Sequence, residues 1–317
     1  IMHGFGLDET GRAMHKSLGN VINPDDVIPK YGRDALRLFE LSNVIWEDLR
    51  FSMNGVKEAF RTLGIIWNTF YFASLYMNLD KFDPITNNID RLGKYLRNED
   101  KWLLSRYQKI IKYMTESMEE GRIHDAVRTI INFLVEDVSR WYVKLIRRRV
   151  WIEPNDPDKL AAYTTLYTVL EGSLRLLAPY VPFITEKIYQ SMFRNAQSPL
   201  SVHMLDWPSP REDLINEKLE RLMDIAKQIV TASSMARQTK GMKLRKPVQR
   251  VIIVSKQSEV LDIIETYENM LKTQMNTKNI LLAQSEEVEK ELKTIEVKLN
   301  LSKAGPILRE NVNPVID

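Results

Sequence analysis

Apolar residues recur along most of this chain at steps of three and four, the spacing that lines one face of an α-helix. "NPDDVIPKYG", residues 23–32, opens the first such helix, with Asn23 as N-cap and Pro24 at the first helical position. "GRDALRLFELSNV" follows, with Ala35, Leu38, Phe39 and Leu41 on one face. Asp34 lies in its first turn, where a carboxylate complements the helix dipole. After a connector over 43–53, the spacing predicts helices over about 55–77, 99–119, 123–150, 160–177, 183–193 and 213–237. "EPNDPDK" is a turn-rich break, and Pro179 and Pro182 interrupt the run at "APYVP". In the helix over 55–77, Val56, Phe60, Leu63, Trp67, Phe70 and Tyr71 keep the helical period. Its second half is apolar nearly all round, so it is expected in the core.

The period changes after Gly241. "VQRVIIVS" alternates and is β-branched, so it predicts a strand. "VLDIIETYENMLKTQM" predicts a helix, and "KNILLAQ" and "TIEVKLNL" predict two more strands. The expected fold is therefore mainly α: an antiparallel helical bundle followed by a small α+β domain. Three segments are expected: a loop and connector over 1–53, the bundle over 54–240 and the small domain over 241–317.

Composition narrows the chemistry. The chain has 317 residues, 44% hydrophobic and 27% charged, which is ordinary for globular proteins. It has no cysteine, which excludes disulfides and thiolate zinc sites. His3, His15, His124 and His203 are scattered without ligand spacing, so no side-chain metal site is expected. The most apolar run, "LGIIWNTFYFASLYM" over 63–77, is too short for a bilayer and carries Asn68, Thr69 and Ser74. No basic segment leads into an apolar signal stretch, so the expectation is a cytoplasmic protein with no membrane partner. The start at Ile1 rather than methionine leads us to expect a piece of something longer.

Charge is unevenly spread. Between Ile225 and Ser258 there is no acidic residue, yet Lys227, Arg237, Lys240, Lys243, Arg245, Lys246, Arg250 and Lys256 all fall there. The whole chain carries only +3, so the remainder is net negative. Such asymmetry points either to a polyanionic partner or to a solvated face.

"GRAMHKSLGN", residues 11–20, holds a lysine and a serine on a glycine-bounded loop just before a helix start. On composition it is either a charged turn or a loop that holds an anion through Lys16 and free backbone N–H groups. It is neither a Walker loop nor a dinucleotide fingerprint, since "HGFG" lacks the third glycine.

"MHKSLGN" resembles the KMSKS signature of class I aminoacyl-tRNA synthetases, and "GRDALRLFE" resembles the DALR stretch that follows it. "WEDLRFS", "SRWYVKLIRRRVW", "SVHMLDWP", "ARQTKGMKLRKPV" and "KLNLSKAGP" are similar to the isoleucyl family, on its archaeal and eukaryotic-like branch. The resemblance implies an enzyme that joins isoleucine to tRNA-Ile with ATP and Mg2+, through an aminoacyl-adenylate. It implies that Lys16 is catalytic and that His15, Lys16 and Ser17 form the ATP-binding loop. It departs from the pattern at Ala13 and His15, which stand where the family has the first lysine and the first serine. The HIGH motif and the nucleotide-fold halves, which lie upstream in the family, are not in this sequence, so this fragment is expected to bind tRNA without catalysing. A valyl or other class I enzyme, and a noncatalytic helical RNA- or protein-binding module, are the alternatives.

The resemblance makes residues 54–240 an anticodon-binding bundle, which must neutralise phosphates and stack unpaired bases. Two clusters are candidate tRNA contacts. Lys144, Arg147, Arg148 and Arg149 close one long helix, where cations also complement the helix dipole. Arg237, Lys240, Lys243, Arg245 and Lys246 surround Gly241. Trp141, Tyr142 and Trp151 are either core residues or stacking platforms, and His124 and His203 read as structural or surface residues.

Overall fold

Helix starts follow the local chemistry of their caps in the computed structural model, which describes residues 3–255 and 259–283. Asn23 accepts the Asp25 N–H at 3.1 Å to begin α1 (Pro24–Tyr31). α2 (Arg33–Leu41) buries Ala35, Leu36 and Leu38. Ser52 caps α3 (Met53–Leu79), and a four-residue α4 (Ile89–Leu92) leads into α5 (Asn98–Glu119). Then come α6 (Ile123–Asn132), a π-helical stretch over Phe133–Tyr142, and α7 (Val143–Ile146). α8 (Pro157–Leu177) and α9 (Pro182–Ile188) both begin on proline, and α10 spans Glu217–Thr239. The expected mainly helical fold is thus what forms.

The described residues fall into two compact units, divided between Met223 and Asp224. The division falls inside α10, ahead of the boundary placed at residue 240 from the change of period. In the second unit β3 (Val248–Val254) and β4 (Thr277–Ala283) pair in parallel, with α11 (Glu259–Met275) between them in sequence. Parallel neighbours need a long crossover, and α11 supplies it, burying Val260, Ile263, Tyr267, Leu271 and Met275. The expected strand "TIEVKLNL" and the "KLNLSKAGP" run lie outside the described residues.

Two expectations fail for physical reasons. The helix expected over 123–150 is not one regular helix, because ten of its residues take the wider π geometry. α3 is not buried all round. Its inner face holds Val56, Leu63, Ile66, Phe70, Ala73 and Met77, while Phe60, Trp67, Tyr71, Leu75 and Leu79 face solvent. Hydropathy counts apolar residues but does not say how many neighbours surround the helix.

Helix α2 fixes the connector to the bundle. The Asp34 carboxylate accepts the backbone N–H groups of Phe183 at 3.3 Å and Ile184 at 2.6 Å, in the first turn of α9. Burial raises its pKa against those bonds. Arg37 donates to the Tyr180 and Pro179 carbonyls, each at 3.0 Å, and Arg128 donates to the Ser42 carbonyl at 2.6 Å. Asp34 therefore serves the dipole of another helix as well as its own.

The bundle core closes over one enclosed carboxylate. Asp100 is 0% exposed. Its Oδ1 accepts Arg149 Nη1 and Tyr142 Oη, each at 2.7 Å. Its Oδ2 accepts Arg149 Nη2 at 2.8 Å and the Arg97 N–H at 2.9 Å. Arg149 continues to Asp158 on α8, and Arg97 grips the same Asp158 with two bonds of 2.7 and 2.6 Å. Burial, with Asp100 beside it, holds the Tyr142 hydroxyl well above the usual phenol range. Nearby, α5 and α8 touch at Gly172, where a Cβ would sit 1.7 Å from Tyr107 Oη.

Removing Arg149 would leave Asp100 charged, enclosed and short of two donors. Arg149→Ala is expected to cost about 3–5 kcal/mol in urea unfolding of the chain, and the exposed Arg147→Ala less than about 0.5 kcal/mol. Equal midpoints for the two variants would show the pair to be dispensable.

Candidate functional site

The glycine-bounded loop hangs from a small brace at the start of the chain. β1 (Gly6–Leu7) pairs in parallel with β2 (Leu49–Arg50), and Leu7 also bridges Ala13. Asp8 follows β1, and its carboxylate gathers the loop around itself. Oδ1 accepts Thr10 N, Thr10 Oγ1 and Arg12 N at 2.9, 2.6 and 2.9 Å. Oδ2 accepts Asn20 Nδ2 at 2.9 Å and Arg12 Nε at 3.3 Å. Asn20 in turn donates to the Ala13 carbonyl and accepts the His15 N–H at 2.9 Å. Both ends of the loop are thus tied to one side chain. Bonds from the Thr10 hydroxyl, Asn20 and the Arg12 N–H hold the Asp8 carboxyl well below the usual carboxylate range. The loop's own atoms cover Asp8, but it lies away from the core, so hydrogen bonding outweighs desolvation there.

Within the loop, Lys16–Leu18 form one 3-10 turn capped by the His15 ring, which closes at Gly19. Gly19 has φ 65°, a left-handed conformation that glycine adopts without the Cβ penalty. His15, Lys16 and Ser17 are all exposed, and Lys16 has no acidic partner among the described residues. One free ammonium on such a turn is a donor suited to a phosphate chain. Among the described residues no group of three or more His, Asp or Glu side chains is placed to hold a metal ion. Asp8 and Asn20 were not singled out from sequence. An aspartate eight residues ahead of a lysine is unremarkable until the brace brings it under the loop.

The two cationic clusters divide on burial. Lys144, Arg147 and Arg148 are exposed. Arg149 is not available to an external anion: it is 4% exposed and committed to Asp100 and Asp158, which corrects its place among the RNA contacts. Arg237 is likewise buried, and its guanidinium donates to the carbonyls of Met275 at 3.0 Å, Lys243 at 2.7 Å and Lys246. It is the internal post of the basic loop rather than part of its surface. Around it Lys240, Lys243, Arg245 and Lys246 are all exposed. Asn276 completes the support, donating to the Leu244 and Arg245 carbonyls at 3.1 and 3.0 Å.

The aromatic candidates divide in the same way. Tyr142 and Trp141 are core residues, and Trp151 is 67% exposed. Its indole N–H donates to Tyr76 Oη at 3.1 Å, which fixes the ring beyond the helix end that carries Arg147 and Arg148. His124 is buried edge-on against Trp46, and His203 is exposed.

Comparison with known proteins places both features. The family model described as tRNA synthetases class I (I, L, M and V) matches residues 1–52, which contain the Asp8-held loop. The model described as the anticodon-binding domain of tRNA ligase matches residues 100–253, which contain both cationic clusters. Among curated proteins the chain is similar to isoleucine–tRNA ligases. It is 45% identical over 311 residues to that of Methanocella arvoryzae, covering 97% of this chain and 28% of the relative. It is 46% identical over 306 residues to that of Pyrococcus furiosus, covering 96% and 28%. For Thermococcus kodakarensis the identity is 44% over 316 residues, covering 99% and 29%. The chain therefore spans under a third of the length of these relatives.

Asp8→Asn keeps one acceptor but turns a donor toward Asn20 and Arg12. Amide hydrogen exchange at residues 15–19 is expected to accelerate, with α5 and α8 unchanged. In the unsubstituted chain the brace should survive acidification past the ordinary carboxylate range. A depressed pKa contributes above the unfolded value and is lost only as pH falls through the folded one. Unchanged exchange in the variant would remove Asp8 from this role.

Proposed function

We propose, for a chain that belongs to the class I tRNA synthetase family on its isoleucine–tRNA ligase branch, that it is the tRNA-holding part of such an enzyme together with one loop of its ATP site. The observation that carries this reading is identity of 42–46% running through both the lysine loop and the helical bundle. In the parent enzyme the reaction would couple isoleucine to tRNA-Ile with ATP. The isoleucine carboxylate attacks the α-phosphorus and pyrophosphate leaves; a hydroxyl of the tRNA then attacks the carbonyl of the adenylate, taking the isoleucyl group and releasing AMP. Magnesium would accompany the nucleotide and supply charge neutralisation at its phosphates.

This chain's own share follows from its side chains. Lys16 offers an unpaired ammonium on a braced turn, so it can stabilise charge that develops on the departing phosphates without reorganising. The Ser17 hydroxyl, 2.7 Å from the His15 ring nitrogen, helps to hold that turn. A bundle surface bearing Lys144, Arg147 and Arg148, followed by the exposed Trp151 ring, supplies what a single-stranded loop needs: cations for the backbone and a flat face for a base. Lys240, Lys243, Arg245 and Lys246 form a second phosphate-binding surface, shaped from within by Arg237. The domain roles follow: 1–53 as loop and connector, the bundle as anticodon-binding domain, and the parallel β–α–β unit as the small C-terminal domain.

Two measurements test this. In the full-length enzyme, Lys16→Ala is expected to slow isoleucine-dependent pyrophosphate exchange by about two orders of magnitude. Activity within a few-fold of the unsubstituted enzyme would remove Lys16 from the chemistry. For binding, Arg147→Ala with Arg148→Ala should lower the slope of log affinity against log salt by roughly 1.5. Trp151→Ala should weaken tRNA binding by about 1–3 kcal/mol and leave that slope alone. The same slope in all three proteins would argue against this surface.

A further inference from the structure

His15 stands where the resembled motif has a serine, and its ring turns back onto the loop. Nδ1 lies 3.3 Å from the Ser17 backbone nitrogen and 2.7 Å from Ser17 Oγ. A backbone N–H can only donate, so Nδ1 carries the lone pair and the ring proton sits on Nε2. The Ser17 hydroxyl, free to rotate, then donates to the same Nδ1. The His15 main chain is fixed separately, its N–H on Asn20 Oδ1 and its carbonyl accepting the Leu18 N–H at 3.0 Å. Lys16 is therefore held between two residues bonded to each other, on a turn that Gly19 closes with a bond to the Lys16 carbonyl.

We infer that His15 is a positioning residue: its Nδ1 fixes the turn that aims Lys16. The inference rests on the reading of Lys16 as the phosphate-contacting lysine. A side-chain acceptor at an N-cap orders the first turn behind it, and serine, asparagine and aspartate ordinarily do this. Here an imidazole does it instead, from an atom two bonds beyond Cβ. Asparagine offers Oδ1 at the same reach. Glutamine puts its acceptor one bond too far, and alanine has none. The function of the loop should therefore track acceptor reach and be indifferent to the ring itself. Fixing the turn before ATP arrives favours the transition state, in which Lys16 acts, so kcat should move and the KM for ATP should not.

The test has two arms. In this chain, the ring nitrogens labelled with 15N in alkaline buffer should show His15 as the Nε2–H tautomer, assigned by loss of its signal in His15→Gln. The Nδ1–H tautomer would overturn the proposal. In the full-length enzyme, His15→Ala should lower kcat for isoleucine-dependent pyrophosphate exchange about fivefold, the usual cost of a lost cap. His15→Asn should stay within about twofold of the unsubstituted enzyme, and in a Lys16→Ala background His15→Ala should cost nothing more. Equal losses for Ala and Asn, or an undiminished loss without Lys16, would overturn it. Should the parent enzyme lack exchange activity, the reading of the reaction fails by itself. The positioning claim is then decided by Ser17 amide exchange, expected faster in His15→Ala and unchanged in His15→Asn.

Discussion

An ionisable carboxylate with no exposure must be given donors on every side, and the helical bundle is arranged around that demand at Asp100. Its partners come from three places in sequence: Arg97 beside it, Tyr142 at the end of the π-helical stretch, and Arg149 beyond α7. Through Arg149 and Arg97 the demand extends to Asp158 in the first turn of α8. Satisfying one side chain therefore fixes how α5, the π-helical stretch and α8 meet. Such a pair is poor evidence of stability by itself, since apolar replacements can do as well. Its effect is to exclude other registers, because any slip strands a charge in the core.

The same constraint governs how positive charge is shared between inside and outside. Both basic clusters contain one arginine turned inward, Arg149 onto carboxylates and Arg237 onto backbone carbonyls. A planar guanidinium with five donors suits this use, and the compact ammonium of lysine does not. In each cluster the buried arginine shapes the segment and the neighbouring cations remain outside. Counting charge along the sequence merges these two tasks.

Much of the fold was legible in the sequence. The helices follow from the three-and-four spacing, and Asn23, Pro24 and Gly19 act as their local chemistry suggests. The lysine loop was legible through its resemblance and its glycine. What escaped was whatever depends on distant partners. Nothing near Arg149 announces Asp100, forty-nine positions away. The brace of two-residue strands under the loop is too short for any alternation to show, so Asp8 stayed hidden with it. The open face of α3 escaped because an apolar stripe looks alike whether or not another element covers it.

The π-helical stretch has a consequence for how the chain tolerates change in length. Successive residues advance about 100° in an α-helix and less in the wider π turn. Ten residues of it, Phe133–Tyr142, set the angular phase of everything that follows before the turn-rich break. That phase sends Arg147 and Arg148 outward and Arg149 inward. Losing a single residue upstream would rotate the run by about one α-helical step, turning Arg149 outward into the place of Arg148 and bringing Val150 to the inward place. The stretch thus acts as a vernier between a core that needs one guanidinium and a surface that keeps its neighbours.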